Sequence, residues 1–121
     1  MVEQQMFSLQ RQGDTFVVVV NISDYSSTVT DAILADLREA LDAGMVVKLA
    51  IDMAGVKFMD SVALGSLVVL LRRIKQVGGR LALVGVSGHC LKVMQVTGLG
   101  KVFELYPDLP AANTGFANTS S

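Results

Sequence analysis

The stretch IDMAGVKFMDSVALGS, Ile51 to Ser66, decides how the rest of the chain is read. An apolar run, Val46 to Ile51, leads into Asp52, and a short turn through Ala54 and Gly55 follows. The apolar pair Phe58-Met59 then gives way to an acid and a hydroxyl, Asp60 and Ser61, before a long apolar segment begins. The order is strand, turn, acid, serine, helix. It predicts Ser61 at a helix start, where backbone N–H groups lack intrahelical partners and the helix dipole is positive. Ser and Asp are common caps at such positions, and the same position suits a phosphate. Asp60 or Ser61 is the cap; Ser61 is also a candidate phosphoacceptor.

Downstream, Leu64, Leu67, Leu71 and Ile74 carry a helix to about Val77, stopped by Gly78-Gly79. Apolar residues fill most of its circumference in the first half, and Arg72, Arg73 and Lys75 appear only later. Apolar surface is therefore left over near its start, for a neighbouring helix or for a partner. Arg80 to Val86 reads as a strand. Ser87 caps a helix over Gly88 to Thr97 with Leu91, Val93 and Met94 facing inward, and Gly98-Leu99 fits a Schellman ending. Val102 to Tyr106 makes a last short strand, ended by Pro107. Residues 107–121, PDLPAANTGFANTSS, are small, polar and Pro-interrupted and read as a loosely ordered tail.

Upstream, Gln4 to Gln10 and Phe16 to Val20 flank a Gly13-Asp14 turn and predict an antiparallel pair. The second member is an unbroken apolar run, which predicts burial on both faces. Thr28-x-x-Asp31 has capping-box form. The helix behind it places Val29, Ile33, Leu37 and Leu41 on one face and stops at Gly44.

The predicted order is β-β-α-β-α-β-α-β. Strands joined through helices need parallel crossovers, whereas the first pair is antiparallel. The class is α/β: a mixed four- to five-stranded sheet with helices packed against it, in one domain over residues 1–106. Function in such sheets sits at the carboxyl ends of the parallel strands. Asn21 to Ser26, Asp52 to Ser61 and Gly85 to Gly88 all fall there.

Composition narrows the function. A formal net charge of −1 and no basic run leave out the footprint of a nucleic-acid binder. No apolar run approaches the roughly 20 residues of a membrane span, and the N-terminus does not read as a signal peptide, so a cytoplasmic protein is expected. The single Cys90 adjoins the single His89, but neighbours on a helix diverge by about 100°, so no Cys–His pair is expected. No third ligand of matching spacing accompanies them, and no metal is expected. Phosphate-cradling glycine motifs are absent, as is the acidic cluster that a phosphoacceptor aspartate at Asp52 would need. The chain reads as a non-enzyme without a cofactor.

The run Phe58-Met59-Asp60-Ser61-x-x-Leu64-Gly65 resembles the signature of STAS-domain anti-sigma factor antagonists: an apolar pair, Asp, Ser, then Ser or Thr, Gly, Leu, Gly. The likeness continues through Gly78-Gly79, Leu81 to Val84, Val93 to Gly98 and Val102-Phe103, covering about residues 4 to 106. Val62-Ala63 stands where the family has Ser/Thr-Gly. The resemblance implies the STAS fold and a phosphorylation switch at Ser61. It implies as partners an anti-sigma factor serine kinase of GHKL-type ATPase fold and a PP2C-like serine phosphatase. Unphosphorylated antagonist would bind the kinase and free a sigma factor; the phosphorylated form would let go. Asp24 matches an acidic residue beside the family's phosphorylation site, and Met59, Asp60, Val62 and Leu64 are the expected partner contacts around it. The alternative is a STAS scaffold or regulatory subunit of a signalling or transport assembly, without a serine switch.

Overall fold

The computed structural model describes residues 5–118. Strands β1 (Phe7–Gln12) and β2 (Thr15–Val20) form the expected antiparallel pair across Gly13. There follow β3 (Asp24–Tyr25), α1 (Ser27–Asp42), β4 (Lys48–Asp52), β5 (Phe58–Met59) and α2 (Ser61–Gln76). The chain continues through β6 (Arg80–Val84), α3 (Gly88–Thr97), a 3-10 turn at Leu99–Lys101, β7 (Glu104–Tyr106) and α4 (Leu109–Ala117). The main sheet has five strands in the order β1-β2-β4-β6-β7, parallel throughout except for the first pair. It is the mixed α/β sheet that the alternation of strand and helix patterns predicts.

One face of the sheet, through Val18, Leu49, Ile51, Leu81 and Leu83, packs against Val29, Ile33 and Leu37 of α1 and the inward leucines of α2. Cys90 and Met94 of α3 close the same core. Gly79 lets the turn after α2 lie flat on the preceding loop, since a side chain there would run into the Val47 carbonyl. Gly98 ends α3 in the left-handed conformation, with φ 74°.

The structure departs from the sequence reading at several places: β1 runs over Phe7–Gln12 rather than from Gln4 to Gln10, and the last strand starts at Glu104 rather than Val102. Two extra strands of two residues, β3 and β5, pair with each other in a separate small sheet. Strand β4 starts at Lys48, leaving Val46 in the preceding loop and 44% exposed. Strand β2 is not buried on both faces: Phe16, Val18 and Val20 are buried, whereas Val17 and Val19 are half-buried. The helix on the far face packs on β4, β6 and β7, so the β2 side of that face is less covered. Ser26, not Thr28, is the N-cap of α1, and the Thr28–Asp31 capping box does not form.

The largest departure is the tail. Residues 109–117 are not loosely ordered but form α4, opened by Asp108, whose carboxylate accepts the Ala111 N–H at 2.9 Å. Ala112 and Phe116, four apart and on one side of the helix, cover Ala50, Ala82 and Val84 in a second small core. Arg80 fastens the far end of α4. Its guanidinium pairs bidentately with Glu104, donates to the Gly115 carbonyl at 3.0 Å, and lies 5.4 Å from the Phe116 ring centre. Residues 119–121 of the expected tail lie outside the described residues.

Candidate functional site

Strands β3 and β5 run parallel with Asp24 opposite Phe58 and Tyr25 opposite Met59. Lys57 and Phe58 donate their backbone N–H groups to the Ser23 carbonyl at 2.8 and 3.0 Å, which closes the two loops on each other. Each short strand runs straight into a helix, β3 through Ser26 into α1 and β5 through Asp60 into α2. The sheet edge thus sets two helix N-termini side by side. Alternation turns Tyr25 and Met59 into the core, 2% and 3% exposed, and leaves Asp24 and Phe58 on the surface.

A chain of hydroxyls, buried at Tyr25 and Thr30 and half-buried at Ser66, ties α1 to the first turns of α2. Tyr25 and Thr30 share a hydrogen bond of 2.6 Å, and the Ser66 hydroxyl lies 2.8 Å from the Thr30 hydroxyl and 2.6 Å from the Ala63 carbonyl. Burial is the largest influence on the Tyr25 phenol, which is pushed up to about 12. It therefore stays a neutral bonding group at physiological pH.

At the start of α2 the division of labour is clear. Asp60 is the cap: its carboxylate accepts the Ala63 N–H at 2.8 Å, and its carbonyl accepts the Leu64 N–H at 3.1 Å. Ser61 is the first helical residue, exposed, and its hydroxyl takes part in no hydrogen bond among the described residues. The Ser61 and Val62 amides are likewise without a protein acceptor among the described residues. A free hydroxyl thus sits beside open N–H donors at the positive end of a helix.

Of the partner contacts expected from sequence, Asp24, Asp60 and Val62 are exposed, Val62 at 68%. Met59 and Leu64 are corrected: at 3% and 0% exposure both are core residues that shape the rim from beneath. Leu64 belongs to the inward stripe with Leu67 and Leu71, and Met59 is the inward member of its two-residue strand. The surplus apolar surface expected near the start of α2 is partly covered by α1, while Val62 and Val69 stay exposed.

Two surface residues that sequence reasoning did not assign to the site belong to it. Phe58 is 56% exposed, and His89 from the start of α3 packs against it with ring centres 5.8 Å apart. Together with Asp24, Ser26 and Asp60 they line a shallow open pocket of about 310 Å³ beside the start of α2. His89 faces solvent and Cys90 is buried, as their divergence on a helix predicts, and burial pushes the Cys90 thiol up. The two are not placed to act as a nucleophilic pair. No cluster of three or more metal-ligating side chains occurs among the described residues. No helix among the described residues is long and apolar enough to cross a membrane.

The STAS domain family model matches residues 6–112. The anti-sigma-B factor antagonist of Listeria monocytogenes is 32% identical over 72 residues, a match spanning 57% of this chain and 63% of that relative's own length. An anti-sigma factor antagonist domain protein from Planctomyces limnophilus superposes with a TM-score of 0.78 at 26% identity, over 93% of this chain and 98% of the other. The Bacillus cell fate determinant SpoIIAA in its phosphorylated form gives 0.67 at 25% identity, over 89% and 97%. The chain belongs to the STAS domain family, and its relatives include anti-sigma factor antagonists.

Proposed function

We propose that this STAS domain is a cytoplasmic anti-sigma factor antagonist that binds a GHKL-type serine kinase acting as the anti-sigma factor, and that phosphorylation of Ser61 switches the binding off. One observation carries this reading: the Ser61 hydroxyl is free and exposed at the first position of α2, because Asp60 does the capping. A capping serine would lose a structural bond on modification. Ser61 has none to lose.

The kinase transfers the terminal phosphoryl group of ATP to Ser61 Oγ, forming the new O–P bond as the bridging bond to ADP breaks and the hydroxyl proton departs. A PP2C-like phosphatase hydrolyses the ester and restores the hydroxyl. Phosphate adds about −1.5 to −2 charge at neutral pH. Toward its own fold this is mild, since the helix dipole favours an anion there by roughly 0.3–1 kcal/mol. Toward a docked partner it is severe. The group would sit beside Asp60 and the exposed Val62, where repulsion and desolvation of an unpaired charge amount to several kcal/mol. Asp24, Asp60 and Val62 are the contacts this surface offers. The domain supplies a surface and an acceptor, not a catalytic residue. A relative that exists in phosphorylated form supports the reading.

Calorimetric titration of a GHKL-type kinase from the same genome with wild type, Ser61→Ala and Ser61→Asp tests this. The expected result is wild-type affinity for Ser61→Ala and at least roughly tenfold weaker binding for Ser61→Asp, a loss of about 1.4 kcal/mol or more. Equal binding by Ser61→Asp and wild type contradicts the switch.

A further inference from the structure

The two ends of α3 differ. His89 at its start belongs to the rim, whereas its last turns and the 3-10 turn behind it border a second groove, of about 350 Å³, against the edge strand β7. His89 and Gly98 are about 13 Å apart along the helix, so this groove is separate from the Ser61 surface. Met94, fully buried, is its floor. Leu91 and Leu105 are its apolar walls, Leu105 being 38% exposed on the last strand of the sheet. Gly100 keeps one side open. A β-carbon there would meet Met94 at 3.5 Å, an ordinary contact, so packing does not demand the glycine, and a longer side chain would fill the groove.

The lip of the groove offers donors and no anion. From Gly85 to Phe103 the chain has no Asp or Glu, and Lys101 on the lip takes part in no ion pair among the described residues. Glu104, the nearest acid in sequence, is turned to the other face of the sheet and held there by Arg80. The Tyr106 carbonyl accepts from Gly85 beside β6, so by the alternation of a parallel ladder the Leu105 N–H points to the open edge. Pro107, next along that edge, has no N–H. One residue's polar groups are too few to add a peptide strand, but they can help to hold a small anion. We propose that this groove binds a small amphipathic monoanion: an aliphatic carboxylate whose chain lies over Met94 between Leu91 and Leu105, and whose head group meets Lys101 and the Leu105 N–H. The volume is at the lower end of the roughly 300–1,000 Å³ of ligand pockets, which suits a chain of medium length. Burial of the chain supplies affinity, and Lys101 supplies the preference for an anion.

Octanoate is the probe, followed by heteronuclear NMR titration of the whole domain, with octylamine as a control of equal chain and opposite charge. Octanoate should shift the amides of Leu91, Met94, Gly100 and Leu105 saturably and leave those of Ser61 and Val62 unmoved. Octylamine should bind at least about tenfold more weakly. Lys101→Gln replaces an exposed residue without breaking an ion pair, and should weaken octanoate about tenfold, as the loss of one charge-assisted hydrogen bond does. Gly100→Leu should abolish binding while leaving the amide spectrum of the sheet unchanged. Shifts that never saturate, shifts spread over Val62, Val69 and Val96, octylamine binding as tightly, or undiminished octanoate binding by Lys101→Gln overturn the site. Concentration-dependent shifts of the same four amides without ligand assign the groove to a second copy of the chain and overturn it as well.

Discussion

Replacing Asp60 and Ser61 one at a time separates structure from switch at the start of α2. Asp60→Ala removes the 2.8 Å bond from the Ala63 N–H and a carboxylate from the positive helix end. The lost cap is worth about 1 kcal/mol and the lost charge up to about 0.5 kcal/mol on this exposed rim. Together they predict destabilisation of about 1.5 kcal/mol, a Tm lower by roughly 6 °C for a domain of this size. Asp60→Asn keeps an acceptor and should lose only about 0.5 kcal/mol. Ser61→Ala breaks no hydrogen bond, exchanges an exposed residue for a better helix former, and should stay within about 0.5 kcal/mol of wild type. Urea titrations followed by far-ultraviolet circular dichroism measure all three. If Ser61→Ala costs as much as Asp60→Ala, Ser61 is a structural cap and the assignment of roles at this helix start is wrong.

Three further outcomes follow from the packing. Arg80→Ala removes the ion pair with Glu104 and the tie to the Gly115 carbonyl. With both charged side chains about a third exposed, the loss should be about 2 kcal/mol, and hydrogen exchange should quicken in α4 before the rest of the domain. Burial alone would raise the Glu104 carboxyl, but hydrogen bonds from Arg80 and Tyr106 outweigh it and hold it below the usual range. The folded state therefore binds this proton less tightly than the unfolded chain: its contribution to stability is complete above roughly pH 4.3 and is lost as pH falls through the lower folded value. Glu104→Gln should flatten that part of the acid-stability curve in urea melts. Thr30→Val strands the Tyr25 hydroxyl in the core, for a predicted loss of about 2 kcal/mol, while Thr30→Ser should restore most of it, as equilibrium unfolding would show.

The five-stranded sheet and the three helices on its main face are legible because long periodic runs such as Val29–Leu41 and Leu64–Ile74 declare both type and facing. Strands β3 and β5 are not, because two residues display no period. That is why Phe58 and Met59 read as an equivalent apolar pair although one faces out and the other in. Helix α4 hides behind composition: proline, asparagine and glycine mask it. Asp108 followed by Pro110, with Ala112 and Phe116 four apart, is nevertheless a cap, a first-turn proline and an apolar face. Leu64 was recoverable from the spacing of the inward leucines. His89 was not, since its approach to Phe58 depends on where α3 returns to the rim.

The proposed switch turns on a single hydroxyl, and finding the phosphate tests it at the source. Wild type and Ser61→Ala are incubated with the GHKL-type kinase and ATP, and the modified peptides are sequenced by mass spectrometry. The expected result is one phosphate, on Ser61, absent from Ser61→Ala, with the phosphorylated protein released from the kinase. Phosphate on Ser26, Ser27 or Thr28 at the neighbouring helix start, or a Ser61 that stays unmodified while the kinase remains bound, contradicts it.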